Sequence, residues 1–220
     1  MAGGTTVTRR PLTTPRAAAV AGVVFSALMF VDLAIVRITI PYDPDEPGIW
    51  LMDPARRNAV RFALNLIPFA GIAFLWFVGV LRDRLGALED RFFATVFLGS
   101  GLLFVGSLFA SAATTSALIA AIAAGNIHLP NSETYYFARR LSYTFVNVFA
   151  IKMAGVFIFS LCMMMLRTAT LPRWVAYSGF GCGLVMLVVI TSWGWIALLF
   201  PSWTLVASAY ILLSYRPAEA

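Results

Sequence analysis

The sequence predicts an all-α integral membrane protein, a single domain built as a bundle of six transmembrane helices with both termini in the cytoplasm. Three observations predict this class. The chain of 220 residues is 60% hydrophobic and 12% charged, whereas soluble domains carry about 25% charged residues. Its mean hydropathy is +0.85. Apolar stretches of about 20 residues, the length that a bilayer requires, recur along the whole chain.

The first three helices are separated by segments rich in proline and charge. Residues 1–15 are polar and predict a disordered cytoplasmic tail ahead of the membrane domain, which occupies residues 16–216. A proline-rich external loop follows the first span. Asp53 and Pro54 then supply a cap and a first-turn proline for the second helix. Residues 82–91 predict a tight cytoplasmic turn before the third span.

The second half of the chain predicts three more spans. The third apolar stretch is longer than a bilayer needs, so that helix either tilts or extends beyond the external surface. Asn131 or Ser132 is placed to cap the fourth helix, and Pro172 opens the fifth. We set the last break at 192–195, with 200–203 as the alternative. The predicted spans are 17–40, 55–81, 92–116, 141–166, 174–192 and 195–215.

The arginines predict the orientation. With the amino terminus in the cytoplasm, the cytoplasmic segments carry Arg9, Arg10, Arg16, Arg82, Arg84, Arg91, Arg167, Arg173 and Arg216, and the external segments carry Arg56, Arg57, Arg61, Arg139 and Arg140. This excess follows the positive-inside rule. The net charge of +6 is thereby explained without a nucleic-acid partner. The lipid bilayer is the expected partner, and the arginine-rich composition favours the cytoplasmic (inner) membrane of a bacterium.

The carboxy-terminal half carries a resemblance. A long apolar helix is followed by Leu171-Pro-Arg-Trp174, a glycine-bearing span, Phe200-Pro-Ser-Trp203 and a final span. In this arrangement it resembles a broad group of bacterial multi-span membrane proteins known only as a domain of unknown function. The resemblance covers about half of the chain. It implies the same span count and carries no activity or functional residue with it.

Two charges lie within predicted spans, and each is costly there, by about 3 kcal/mol on insertion scales. Asp32 lies about 22 Å beyond Ala17, and Lys152, the sole lysine, lies about 21 Å before Leu166. Because the two helices run in opposite directions, the charges reach the same depth. We therefore expect a buried Asp32–Lys152 ion pair that fixes helix register; the alternative is a proton relay or a counter-charge for a substrate. Arg37 is expected to extend to the headgroups or to the acidic external loop.

Further polar residues form two groups. Those inside spans are expected to act as hydrogen-bond contacts between helices, or alternatively to line a small polar interior; they are Asn65, Ser107, Ser111 and Asn147. External arginines are expected to set orientation or pair with loop acids. The alternative is that they hold an anionic lipid headgroup; they are Arg56, Arg57, Arg139 and Arg140.

The sequence carries no recognisable catalytic or cofactor motif. A phosphate-binding GxxxxGK, a GxSxG nucleophile turn and a zinc-binding HExxH are all missing, and His128 is the sole histidine. We therefore expect no cofactor, no metal site and no catalytic residue. Gly179 and Gly183 form a GxxxG pair, which permits close helix contact inside the bundle, in a homodimer or with another membrane protein.

Three functions are compatible with these features. The favoured one is a non-enzymatic accessory, scaffold or signalling subunit. The alternative is a small transporter or permease that uses Asp32 and Lys152, and the third is a membrane enzyme that acts on an anionic lipid. A polar cavity that reaches the depth of Asp32 would favour the transporter, whereas a dry and tightly packed charge pair would exclude it.

Overall fold

The computed structural model describes residues 15–85, 91–168, 172–189 and 194–214, and this part of the chain is helical without any strand. The all-α prediction is confirmed for these residues. The principal helices are α1 (Pro15–Thr39), α2 (Pro54–Leu85), α3 (Arg91–Ala123), α4 (Glu133–Thr144), α5 (Ile151–Thr168), α6 (Arg173–Val188) and α7 (Leu199–Ser214). A π-helical turn, Phe145–Ala150, joins α4 to α5 without a break, and short 3-10 turns occupy Ile49–Met52, Leu129–Asn131 and Gly194–Leu198.

Within the described part of the chain, five helices are long and apolar enough to cross a membrane, the property of a multi-pass membrane protein. The α4–α5 stretch supplies one of them, Glu133–Arg167. The fifth predicted span, 174–192, is shorter than expected: α6 has 16 residues and is therefore about 24 Å long, less than the roughly 30 Å of a bilayer core. Three carbonyl groups at the end of this helix accept hydrogen bonds from Lys152.

The predicted helix caps are confirmed. The Asp53 carboxylate accepts a hydrogen bond of 2.8 Å from the Ala55 amide at the start of α2. The Ser132 hydroxyl accepts one of 3.2 Å from the Tyr135 amide at the start of α4. Three predicted features lie outside the described residues. They are most of the amino-terminal tail, the centre of the turn after α2, and the break at 192–195 apart from its last two residues.

The helices enclose a common centre. Helix α1 packs along α2 and α7, whereas α5 packs along α3 and α6, and α2 also contacts α3. Helices α1 and α5 therefore face each other across the middle of the bundle. We call the end of the bundle that carries residues 40–53 and 124–132 the loop end, which is the end predicted to be external.

A cluster of five phenylalanines fills the middle of the bundle. The rings come from α1, α2, α3, α5 and α7, and neighbouring centroids lie 4.8 to 6.1 Å apart. Edge-to-face and tilted pairs at these distances add about 0.5 to 1.5 kcal/mol each beyond area burial. The five-phenylalanine cluster comprises Phe25, Phe74, Phe104, Phe157 and Phe200. It separates the two halves of the bundle and forms the floor of the site described next.

The loop end is held by a second apolar cluster. Trp50 and Tyr135 are buried there, and the Trp50 indole N–H donates to the Tyr135 hydroxyl over 3.3 Å. The Gly48 amide donates to the Pro130 carbonyl over 2.9 Å. A side chain on Gly48 would collide with the Tyr135 ring. These contacts fasten the loop after α1 to the loop before α4, so the two loops form one rigid rim.

Candidate functional site: a central cavity at Asp32

A cavity of about 130 Å³ lies in the centre of the bundle, between the loop end and the five-phenylalanine cluster. All the principal helices contribute to its wall. Phe104 and Phe200 lie at its floor, and Pro41 and Tyr42 lie at its mouth. Because Tyr42 is itself exposed, the cavity reaches the surface at the loop end. Most of the wall is apolar, so the few polar groups in it decide what it holds.

Asp32 is the acidic residue of this wall. It lies on α1 seven residues before Thr39, about 10 Å below the loop end of the helix. The residue is only 6% exposed, and its Oδ1 atom makes no hydrogen bond within the described part of the chain. A buried carboxylate without a partner is destabilising by several kcal/mol unless it binds a proton or a cation. Asp32 therefore provides an unsatisfied acceptor inside a cavity.

Two guanidinium groups lie nearer the mouth. The Arg37 guanidinium stacks over the Tyr42 ring, 4.6 Å from its centroid, and the Arg139 Nη2 group donates to the Pro41 carbonyl over 2.8 Å. Both residues line the cavity. Arg37 was expected to extend to the headgroups or to the acidic external loop. Its contact with Tyr42, in that loop, agrees with the second alternative and also places it at the cavity mouth.

Two tyrosines close part of the mouth. The Tyr42 and Tyr143 rings pack edge to face with centroids 6.2 Å apart, and their hydroxyl groups lie 3.4 Å from each other. Tyr42 belongs to the loop after α1 and Tyr143 to α4, so this pair bridges the two sides of the cavity at the loop end.

A cluster of three hydroxyl groups lines the side of the cavity formed by α3 and α4. The Ser142 hydroxyl lies 2.8 Å from that of Ser111 and 2.9 Å from that of Thr115. All three residues are buried. Asn147 lies one turn further on, within the π-helical turn, and its side-chain amide donates to the Tyr143 carbonyl over 3.0 Å. Turns of this kind are frequent at functional sites.

Lys152 has other partners than the predicted one. Its ammonium group donates to the Met186 carbonyl over 3.0 Å, to the Leu187 carbonyl over 2.7 Å and to the Val189 carbonyl over 3.0 Å. The last carbonyls of a helix lack partners within the helix, and a cation is favourable there. All three protons of the ammonium are thereby used.

The expected Asp32–Lys152 ion pair is consequently corrected: neither residue takes part in an ion pair within the described residues. Lys152 instead caps the carboxy-terminal end of α6 from the neighbouring helix α5. The depth of the two charges could be estimated from the sequence, but their direction around each helix could not. Asp32 remains in the cavity without its predicted partner.

The four polar residues expected inside spans divide into two pairs. Ser111 and Asn147 line the cavity. Asn65 is exposed on the outer side of α2, and Ser107 donates to the Leu103 carbonyl of its own helix over 2.8 Å. Of these four residues, Ser111 and Asn147 therefore contribute to the polar part of the cavity wall, and Asn65 and Ser107 do not.

The external arginines do not form a common anion site, because each has its own partner. Arg56 lies 3.7 Å from the Asp53 carboxylate and Arg140 lies 2.7 Å from that of Asp45. Arg57 donates to the Leu51 carbonyl. Among these four arginines, the cavity wall includes Arg139 alone.

Thr115, Ser142 and Tyr143 also belong to this site, although they were not predicted to do so from the sequence. Their spacing carried a signal: Ser111 and Thr115 are four residues apart, as are Arg139 and Tyr143, and such pairs share one helix face. The chain is apolar on most faces of its helices, so this signal is weak without the structure.

No family model, curated protein or solved structure matches the chain significantly. The function is therefore inferred from the cavity and its polar groups.

Proposed function

We propose that this protein binds a small solute in the Asp32 cavity and acts as a permease in the membrane. The buried Asp32 carboxylate, which lies in the cavity wall and has no partner among the described residues, is the observation that carries this proposal. Ionisable residues inside membrane spans are costly and usually mark pathways for substrates or ions. A residue that served only to fix helix register would have a partner on another helix.

The size of the cavity limits the solute. An engineered cavity of about 150 Å³ in a soluble protein holds a molecule as large as benzene. The present volume of about 130 Å³ therefore suits a solute of roughly six to nine non-hydrogen atoms. Its apolar wall favours a solute with an aliphatic or aromatic body, and the polar groups at the mouth and at Asp32 favour charged ends.

Irregular helices beside the cavity support a permease. Many transporters place their substrate sites near the membrane centre, where helices are interrupted. Here Met186 near the end of α6 and Asn147 in the π-helical turn both line the cavity. Backbone that departs from a regular helix within a membrane is tolerated where it is buried in protein or lines a cavity.

The small residues of α6 argue against the accessory role. Gly179 packs against Cys162 and Trp203, and Gly183 packs against the Gly155 carbonyl. The GxxxG pair is therefore occupied inside the bundle and does not present a surface to a partner helix.

The external arginines give little support to the alternative of a lipid enzyme. Three of the four already contact groups outside the cavity.

Access of water to the cavity provides the test. In a protein whose Cys162 and Cys182 are replaced by alanine, we expect Ser111→Cys to react with a membrane-impermeant, charged thiol reagent applied to intact cells. The reaction is expected because Ser111 lines a cavity that opens at the loop end. Ser107→Cys is the matched control, one turn away on α3 and outside the cavity. The extent of modification is measured by mass spectrometry.

Equal and negligible reaction of the two cysteines would overturn the proposal, since it would mean that solutes from the loop end do not enter the bundle. Reaction at Ser111→Cys from the opposite side alone would also contradict the predicted orientation.

A further inference from the structure

We infer that the solute is a linear zwitterion, with an amine at one end that binds Asp32 and an acidic group at the other that binds Arg139 and Arg37. This inference rests on the proposed function and names the substrate class of the same cavity. Three observations carry it: the unsatisfied carboxylate, the two guanidinium groups above it and the apolar wall between them.

The need for an amine follows from the surroundings of Asp32. Lys152 is unavailable to this carboxylate, because its three protons are donated to carbonyl groups at the end of α6. Arg37 and Arg139 line the same cavity, yet neither forms an ion pair with Asp32. The wall thus supplies no cation to Asp32, and an ammonium group supplied by the solute would complete the site.

The need for an acid follows from the mouth. Arg139 donates to the Pro41 carbonyl and interacts with the Tyr135 hydroxyl, and a guanidinium has five N–H donors in total. Guanidinium groups bind carboxylates and phosphates through paired hydrogen bonds. Arg37, held against the Tyr42 ring, adds a second positive charge at the same level.

The separation of the charges sets the length of the solute. Asp32 and Arg37 are five residues apart on α1, which corresponds to a rise of about 7.5 Å. Leu33, Val36 and Leu108 line the cavity as apolar groups. An extended chain of methylene groups between the amine and the acid suits this interval. An α-amino acid, whose two charged groups share one carbon, does not span it.

The test is calorimetric titration of the full chain in phospholipid nanodiscs, with 6-aminohexanoate as the probe. Hexanoate lacks the amine, pentylamine lacks the acid, and leucine carries both groups at one end. We expect 6-aminohexanoate to bind more tightly than each of these by about tenfold or more, because each comparison removes or misplaces one desolvated charge contact. Equal binding of hexanoate, pentylamine or leucine would overturn the inference.

Two substitutions assign the ends of the solute. Asp32→Asn is expected to weaken the binding of 6-aminohexanoate by about tenfold or more and to leave the binding of hexanoate unchanged. Unchanged binding of hexanoate also verifies that the variant is folded. Arg139→Gln is expected to weaken the binding of both ligands. Arg140→Gln is the matched control, since this neighbouring arginine pairs with Asp45 on the exposed rim and should leave both affinities unchanged.

If Asp32→Asn does not change the affinity for 6-aminohexanoate, the carboxylate binds no amine and the inference is wrong. If none of the four probes binds, the zwitterion is likewise rejected. The thiol-labelling result at Ser111→Cys stands independently of these titrations, so failure of the substrate class can be distinguished from failure of the proposed cavity function.

Discussion

Replacing Lys152 with methionine is expected to destabilise the bundle by about 2 to 6 kcal/mol. The wild-type ammonium makes three hydrogen bonds to the end of α6, and charge-assisted bonds contribute about 1.5 to 3 kcal/mol each. Removing the charge from the membrane interior offsets about 3 kcal/mol of this loss of stability. The net loss remains because three carbonyl groups at the end of α6 are left without a donor.

This effect is measured as a change in thermal stability and in the midpoint of unfolding by dodecyl sulfate. Lys152→Arg keeps a cation with several donors and should retain part of the stability. Arg140→Gln removes an exposed ion pair and is expected to change stability by about 1 kcal/mol or less. Wild-type stability in Lys152→Met would show that the end of α6 does not depend on this lysine.

Replacing Gly179 with alanine is expected to destabilise the protein by about 1 to 3 kcal/mol through overpacking. A Cβ atom at this position would collide with the Cys162 sulfur and would lie 2.8 Å from the Trp203 ring. Trp203 is buried and held by a hydrogen bond of 3.2 Å from its indole N–H to the Val175 carbonyl. The ring therefore has little freedom to move away, and the contact between α6 and α7 has to open.

Gly181 is the matched control on the same helix. It is exposed, and a Cβ atom there would meet no other atom within 4 Å. Gly181→Ala should therefore leave stability unchanged or raise it by about 0.5 to 1 kcal/mol, since alanine has the higher helix propensity. Thermal unfolding of both variants in the same detergent provides the comparison. Equal stability losses at the two positions would show that close packing at Gly179 is not the cause.

The fold was largely predictable because its signals are local. Apolar length, proline and caps such as Asp53 and Ser132 determine where helices begin, and these features can be read along the chain. The end of α6 was not predictable in this way. Its terminal carbonyl groups are bonded by Lys152, and a lysine's acceptors can be backbone carbonyls that carry no mark in the sequence.

The site was only partly predictable, because a membrane helix that is apolar on all sides does not reveal which face is turned inward. Asp32, Ser111 and Asn147 were recognised as unusual within spans, and all three line the cavity. Asn65 was recognised on the same grounds but faces outward. The direction of each side chain is fixed by packing between helices that are distant in sequence.

The bond network at Lys152 also has a consequence for biogenesis. Taken alone, α5 would insert a charge at a cost of about 3 kcal/mol, and α6 would insert a short helix with open carbonyl groups at its end. When the two helices are inserted together, the Lys152 ammonium of α5 donates to the open carbonyl groups of α6. Both penalties are thereby reduced. We therefore expect α5 and α6 to enter the bilayer together as a helical hairpin, with the translocon retaining α5 until α6 has been synthesised.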